Sequence, residues 1–200
     1  MREAVMPRAR KSPTKTPKTG DAKSRLIAAA MELAAAKGWR NLGLGEIARA
    51  ADVPLDEAYA TFRTKAGLLA GFTRQVNEAV LAGGEAAGTP REKLFELLMR
   101  RFDALKAHRT ALKAIARDSI GDPTALCGIP IGLNAMAWML EAAGISAEGW
   151  RGRARCLALA GAYAATLRTF LGDDSDDLSK TMATLDRRLK SGPFGAGEAK

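Results

Sequence analysis

Two carboxylates, Asp56 and Glu57, begin a short helical pattern inside the segment LGEIARAADVPLDEAYATFRTKAGLLAGF, residues 44 to 72. At the start of a helix they face unpaired N–H groups and the positive end of the helix dipole, so they stabilise the helix itself. The same charges would repel phosphates, whereas one of them could accept a hydrogen bond from cytosine N4. The question is therefore whether this segment contacts a nucleic acid. If it does, the candidates for base contacts are Leu55, Asp56, Ala60, Thr61 and Arg63.

The elements around these carboxylates have the spacing of a helix-turn-helix. Apolar residues between Ile47 and Ala51 form one face of the helix before them. Residues 52 to 54, Asp-Val-Pro, then interrupt the pattern, so the following helix can cross the first at a steep angle. Val53 is expected to fill the corner between the two helices.

The rest of the chain is predicted to form further helices, because no stretch alternates with the two-residue period of a strand. In the first helix, apolar residues recur at spacings of three and four from Leu26 to Ala34, with Asp21 as the expected N-cap and Gly38 as the stop. The sequence therefore predicts an all-α protein with about nine helices. The predicted helices span about residues 21 to 37, 44 to 51, 55 to 61, 65 to 82, 91 to 106, 109 to 118, 124 to 143, 147 to 171 and 176 to 190.

Residues 24 to 72 resemble the N-terminal domain of the tetracycline-repressor (TetR) family of one-component transcriptional regulators. The resemblance rests on the apolar first helix, on Gly38, on EIARAADV and above all on AYATFRTKAGLL. The last segment follows the family's Tyr-x-x-Phe-x-x-Lys-x-x-Leu-Leu pattern at Tyr59, Phe62, Lys65, Leu68 and Leu69. The resemblance implies a three-helix DNA-binding head followed by a helical domain for ligand binding and dimerisation.

The resemblance also implies roles for particular residues. The third helix would enter the major groove of DNA, Tyr59 and Lys65 would contact phosphates, and base contacts would come from the exposed candidates. The chain departs from the family pattern at several positions where glycine, serine, small or hydroxylated residues, or histidine are usual. These positions are Leu42, Asp52, Pro54, Asp56, Glu57 and Thr61.

Charge and composition separate a basic N-terminal segment from the rest of the chain. Residues 1 to 25 carry eight basic and two acidic side chains, so +6 of the formal net charge of +9 lies there. Prolines among Ser, Thr and Lys predict a disordered basic arm, which would either attract phosphates in a salt-dependent way or only aid solubility. The predicted divisions are the arm at 1 to 20, a DNA-binding domain at 21 to 72 whose last helix continues to about 82, a ligand-binding and dimerisation domain at 84 to 190, and a flexible tail at 191 to 200.

The C-terminal half is rich in apolar, flexible and aromatic side chains that could line a pocket for a small apolar effector. The candidate pocket residues are Leu98, Met99, Phe102, Leu133, Met136, Trp138 and Leu140. Each of them could equally be ordinary core. The only histidine, His108, is expected to be a helix-end residue rather than a ligand or a base.

The last two predicted helices carry surfaces suited to association. Residues 157 to 167, LALAGAYAATL, are rich in Ala and Gly and almost free of charge, so another helix can approach closely. An apolar seam recurs at spacings of four, three and four from Leu178 to Leu189. These surfaces could pack within the chain or form the four-helix interface of a homodimer. The candidate interface residues are Ala158, Gly161, Ala165, Leu178, Met182, Leu185 and Leu189.

Other kinds of chemistry have no motif in the sequence. It contains no His/Cys/Asp constellation, GxSxG elbow or P-loop, so we expect neither enzyme activity nor a cofactor. Cys127 and Cys156 lack CxxC spacing, which argues against a zinc site or a disulfide and favours a reducing cytoplasm. No apolar run approaches the ~20 residues needed to cross a bilayer, so membrane insertion is not expected.

Two functions remain open. The first is a dimeric TetR-like transcriptional regulator, a repressor that binds an inverted repeat in double-stranded DNA and leaves it when an apolar effector changes the spacing of its two heads. The second is a TetR-fold protein without DNA binding that uses its helical pocket for lipids, similar to the accessory protein of ubiquinone biosynthesis. The exposed face of the third helix discriminates between them.

Overall fold

A computed structural model describes residues 19–120 and 129–194 of the chain. These described residues form nine helices and no strand, which confirms the all-α prediction. The helices are α1 (Thr19–Lys37), α2 (Leu44–Ala50), α3 (Leu55–Thr61), α4 (Lys65–Ala82), α5 (Pro90–Lys106), α6 (Arg109–Ser119), α7 (Ile129–Ala142), α8 (Gly149–Leu171) and α9 (Ser179–Lys190).

Three sequence predictions fall wholly or partly outside the described residues. The predicted basic arm lies outside them up to residue 18, and the predicted tail does so from residue 195. Residues 121–128, which include Cys127 and the first part of the seventh predicted helix, also lie outside them.

The turn between α2 and α3 is held by a backbone that runs through the left-handed region. Asp52 has a φ of 50°, which a non-glycine residue rarely adopts and which explains why glycine suits this position. The guanidinium of Arg25 on α1 donates to the carbonyls of Ala51 and Asp52 at 3.0 and 2.8 Å. Val53 is buried at the corner, as expected. The turn is therefore fixed to α1 as well as to its two flanking helices.

The step from α3 to α4 depends on a cap and on one glycine. Thr64 caps α4, since its hydroxyl accepts a hydrogen bond from the N–H of Gly67 at 3.0 Å. Phe62 turns inward just after α3 and packs on Gly71, where an added Cβ would lie 2.8 Å from the phenyl ring. The missing side chain at Gly71 therefore permits α4 to lie close against the end of α3.

The remaining helices pack α4 against α5 and α7, and α8 against α9. Their shared core contains stacked and tilted aromatic rings, with Phe102 lying 5.3 Å from Tyr163 and 5.2 Å from Phe170 between ring centroids. In the described part of the chain, no helix is both long and apolar enough to cross a membrane.

The first and last helices begin at positions that differ from the predicted ones. The helix α1 starts at Thr19, so Asp21 lies in its first turn and forms an ion pair with Arg25 at 3.6 Å instead of capping it. The helix α9 starts at Ser179, three residues later than predicted, because residues 173 to 178 form a hydrogen-bonded loop.

The loop before α9 is organised by Asp173, a carboxylate buried in the protein. Its oxygens accept hydrogen bonds from the N–H and hydroxyl of Ser175 and from the N–H and hydroxyl of Thr181. Burial raises the pKa of Asp173, but these four hydrogen bonds outweigh burial and hold the pKa well below its usual range. The ionised carboxylate thus replaces a conventional cap at the start of α9.

We predict that Asp173→Asn destabilises the fold by about 2 kcal/mol at neutral pH, because the amide nitrogen faces buried donors. A depressed pKa contributes stability above the unfolded value of about 3.9 and loses it as the pH falls further. The difference in unfolding free energy between wild type and variant should therefore shrink below about pH 4. Urea titrations at several pH values measure it, with the exposed neighbour Asp174→Asn as the control. An equal loss of unfolding free energy in both variants would contradict the stabilising role assigned to the Asp173 carboxylate.

Candidate nucleic-acid interface and ligand groove

The helix α3 presents one face to solvent, on a head whose other helices are packed together. Leu55 and Tyr59, one turn apart, are 60% and 61% exposed, although both are large apolar or aromatic residues. Asp56, Ala60 and Arg63 are exposed beside them. The opposite side of the helix is anchored by the buried Ala58. The short helix and the residue Arg63 just after it therefore offer a solvent-exposed surface.

The acidic start of α3 has no side-chain cap. Its N-cap residue is Pro54, which cannot supply a capping oxygen, so the first-turn carboxylates Asp56 and Glu57 are the groups that oppose the helix dipole. Thr61 is less available than the sequence predicted, because its hydroxyl donates to the carbonyl of Glu57 at 2.8 Å. The carboxylates therefore have a structural use within the helix itself.

Lys65, at the first position of α4, is engaged with the loop that follows α1. Its ammonium group donates to the carbonyls of Trp39 and Arg40 at 2.9 and 3.0 Å and lies 5.1 Å from the centre of the Trp39 ring. An ammonium group has three N–H donors, so one remains for a phosphate oxygen. Lys65 therefore both fixes the loop and can contact a nucleic acid.

The same loop is held from the other side by Asp118, near the end of α6. One oxygen of this carboxylate accepts the N–H groups of Trp39 and Arg40 at 2.7 and 3.1 Å. The hydrogen bond from Arg117 and those two backbone N–H groups lower the pKa of Asp118 to about 2. Gly38, with a φ of +88°, lets the chain approach, since a Cβ there would lie 3.0 Å from the carboxylate. We call residues 38–40, with Lys65 and Asp118, the loop clamp.

A groove of about 600 Å³ lies between α4 and α7. Its α4 side consists of Ala70, Thr73, Arg74, Asn77, Glu78 and Leu81. Its α7 side consists of Pro130, Ile131, Asn134, Ala135 and Trp138. Since α4 also carries Lys65 at its start, one helix connects the groove to the head.

The structure separates the residues predicted to line a pocket. Trp138 lines the groove with an exposed indole ring. Leu98, Phe102, Met136 and Leu140 are instead fully buried core residues. Met99 and Leu133 are partly buried and outside the groove. The groove residues on α4 were missed because their mixture of polar and apolar types carries no pocket signal in the sequence.

His108 directly precedes α6, as expected of a helix-end residue, and its ring packs edge-on against Phe72 at 5.1 Å.

The apolar seam predicted for a dimer turns inward. Leu178, Leu185 and Leu189 are at most 1% exposed in a single chain, so they are core residues and cannot meet a partner. Met182 is 42% exposed and Gly161 is exposed, while Ala158 and Ala165 are partly buried. A different exposed stripe runs along α8 at spacings of four, three, four and three. It consists of Trp150, Ala154, Leu157, Gly161 and Ala164.

Comparisons with known proteins agree with this architecture. A family model described as bacterial regulatory proteins, tetR family, matches residues 26–71. A second family model, COQ9, matches residues 134–192. No curated protein matches the sequence significantly.

Solved structures share the fold at low sequence identity. A TetR transcriptional regulator from Nitrosomonas europaea ATCC 19718 is 24% identical with a TM-score of 0.67, and the match covers 84% of this chain and 95% of that one. A TetR transcriptional regulator from Rhodococcus sp. RHA1 is 20% identical with a TM-score of 0.61, covering 86% and 97%. The resemblance to the TetR family is confirmed by the head match and by the shared fold.

Two substitutions, one on the exposed face of α3 and one at the start of α4, would separate contact with DNA from support of the loop. Tyr59→Phe should weaken binding to any duplex about five-fold, as expected for one lost hydrogen bond of ~1 kcal/mol, and leave the melting temperature unchanged. Lys65→Met should weaken binding and also lower the melting temperature, because the carbonyls of Trp39 and Arg40 lose their donor. Binding titrations and thermal melts measure both. Wild-type affinity in both variants would contradict the phosphate roles.

Proposed function

We propose that this protein is a TetR-like DNA-binding transcriptional regulator of the cytoplasm, a ligand-responsive repressor that binds an inverted-repeat operator as a homodimer. The observation that carries the proposal is the exposed face of α3 on a head that matches the tetR family over residues 26–71. Leu55 and Tyr59 are free to contact a partner surface, and a major groove admits a helix that carries them.

The charge pattern of the head is compatible with DNA binding. Asp56 and Glu57 repel phosphates, but their cost is opposed by Arg63, just after α3, and by Lys65 at the start of α4. The basic arm at residues 1 to 20 would add sequence-independent attraction to phosphates, which weakens as salt rises. In this proposal the carboxylates stabilise α3, and one of them can accept from a cytosine amino group.

The homodimer would use the exposed stripe on α8 rather than the buried seam of α9. Leu157 is 61% exposed at the centre of the stripe, and the small residues Gly161 and Ala164 allow a second helix to approach closely. Met182 on α9 lies exposed in the same hairpin and could extend the contact. A symmetric pair of heads is what an inverted repeat requires.

Ligand control would act through α4 and the loop clamp. A ligand in the groove contacts α4 between Ala70 and Leu81, and the first residue of the same helix holds residues 39 and 40 through Lys65. Because Asp118 on α6 holds those two residues as well, a shift of α4 relative to α6 would strain the clamp and move the head. The effector therefore needs only to prefer one arrangement of these helices.

A second function has one observation in its favour. The COQ9 model matches residues 134–192, which contain most of α7 and all of α8 and α9. A TetR-fold protein that has lost DNA binding could use the groove for a lipid, and acidic residues at the start of α3 fit such a loss.

Selection from a pool of random-sequence duplexes at low salt tests the proposal. The wild type should enrich an inverted repeat, and Asp56→Asn should bind the enriched duplex with equal or higher affinity, since a charge that repels phosphates is gone. Leu157→Glu should remain folded and monomeric and should enrich only half-sites, if any.

The outcome that rejects DNA binding is also defined. If the wild type enriches no sequence and Lys65→Met has no effect on its residual duplex binding, the head does not read DNA. Binding of lipid vesicles or extracted lipids by the full chain would then support the second function.

A further inference from the structure

A buried arginine forms a hydrogen bond with Asn77, a residue that lines the groove between α4 and α7. Arg101 on α5 is only 5% exposed, and its guanidinium donates to Oδ1 of Asn77 and, at 3.0 Å, to the hydroxyl of Tyr163. Both partners are neutral. Among residues 19–120 and 129–194, no carboxylate forms an ion pair with Arg101. The guanidinium also lies 5.3 Å from the centre of the Tyr163 ring. A buried cation that has only neutral partners is still costly, so this charge is under-compensated.

Arg101 fixes the orientation of the Asn77 amide. A guanidinium has donors only, so the amide must turn its carbonyl oxygen toward Arg101. Its NH₂ group then remains for other acceptors, and Asn77 lines the groove. Donation from a cation into the carbonyl also polarises the amide, which makes its N–H groups stronger donors. Asn77 thus transmits the positive charge of Arg101 to the wall of the groove.

The charges at the groove favour an anion. Thr73 lies one turn before Asn77 and can donate a hydroxyl hydrogen bond to the same ligand group. On the outer rim, Arg74 and Glu78 carry opposite charges one turn apart and largely offset each other. Arg101 therefore makes the electrostatic potential at the Asn77 wall of the groove positive. That wall is suited to a ligand group that carries negative charge and accepts hydrogen bonds.

The other wall of the groove selects the shape of the ligand. Trp138 presents an exposed indole ring, and Ile131 and Leu81 provide apolar surface nearby. A flat ring can stack on an indole, and a volume of about 600 Å³ lies within the range of small-molecule sites, ~300–1,000 Å³. We infer that this groove binds a small aromatic carboxylate, with its carboxylate at Asn77 and Thr73 and its ring against Trp138. This inference deepens the effector role in the proposed function.

Binding of two probes to the full chain, without DNA, tests the inference. In calorimetric titrations, 1-naphthoate should bind at least ten times more tightly than the neutral 1-naphthylmethanol. Asn77→Asp should weaken 1-naphthoate binding at least ten-fold while keeping or raising the melting temperature, because the new carboxylate pairs with Arg101 and replaces the amide donors with a negative charge that repels the ligand. Trp138→Ala should weaken both probes equally.

A matched variant controls for a general effect of added negative charge. Asn134→Asp places the same charge on the α7 side of the groove, away from Arg101, and should weaken 1-naphthoate binding only two- to three-fold. Equal affinities for the two probes, equal effects of the two aspartates, or no saturable binding of 1-naphthoate would each overturn the inference. Since no DNA is present, failure of the DNA-binding proposal leaves this test unaffected.

Discussion

The loop clamp is the constraint on which the arrangement of the head depends. Trp39 and Arg40 are held by the ammonium group of Lys65 through their carbonyls and by the carboxylate of Asp118 through their N–H groups. Opposite charges thus bind the two ends of the peptide group between Trp39 and Arg40. The loop between α1 and α2 is therefore connected to α4 and α6 together.

Buried or half-buried charges recur in this chain, and each is balanced in a different way. Asp173 is balanced by neutral donors and organises the start of α9. Asp118 is balanced by backbone N–H groups and Arg117. Arg101 has only an amide and a phenol as described partners, and it lies next to a groove. Its amide partner Asn77 lines that groove, and the inferred ligand site rests on this contact.

Local signals in the sequence were sufficient for much of the fold. The observed bounds of α3 and α4 agree with the predicted ones, since Pro54, Thr64 and the glycines after α4 mark their ends. The leucine seam of α9 was a different case, because spacings of three and four look alike whether the helix packs on its own chain or on a partner. Burial in the single chain assigns that seam to the core and leaves the stripe on α8 exposed.

The candidate site could be predicted less well than the helix bounds, because its residues are brought together by tertiary contacts. Asp118 lies 79 positions from Trp39, and Arg101 lies 24 positions from Asn77, so no local pattern could pair them. The conformation of Asp52 could be predicted only in part from the sequence. The family's preference for glycine at that position points to a positive φ, but only the structure shows that aspartate adopts it here, with Arg25 holding the turn.

Photo-crosslinking from α3 tests the central claim most directly, which is that this helix lies in the groove of DNA. Ala60 on α3 and Ala183 on α9, both exposed alanines, would each be replaced by p-benzoylphenylalanine and irradiated with random-sequence duplexes at low salt. The account predicts base adducts from position 60 and none above background from position 183. Equal, background-level adducts from both positions would contradict it.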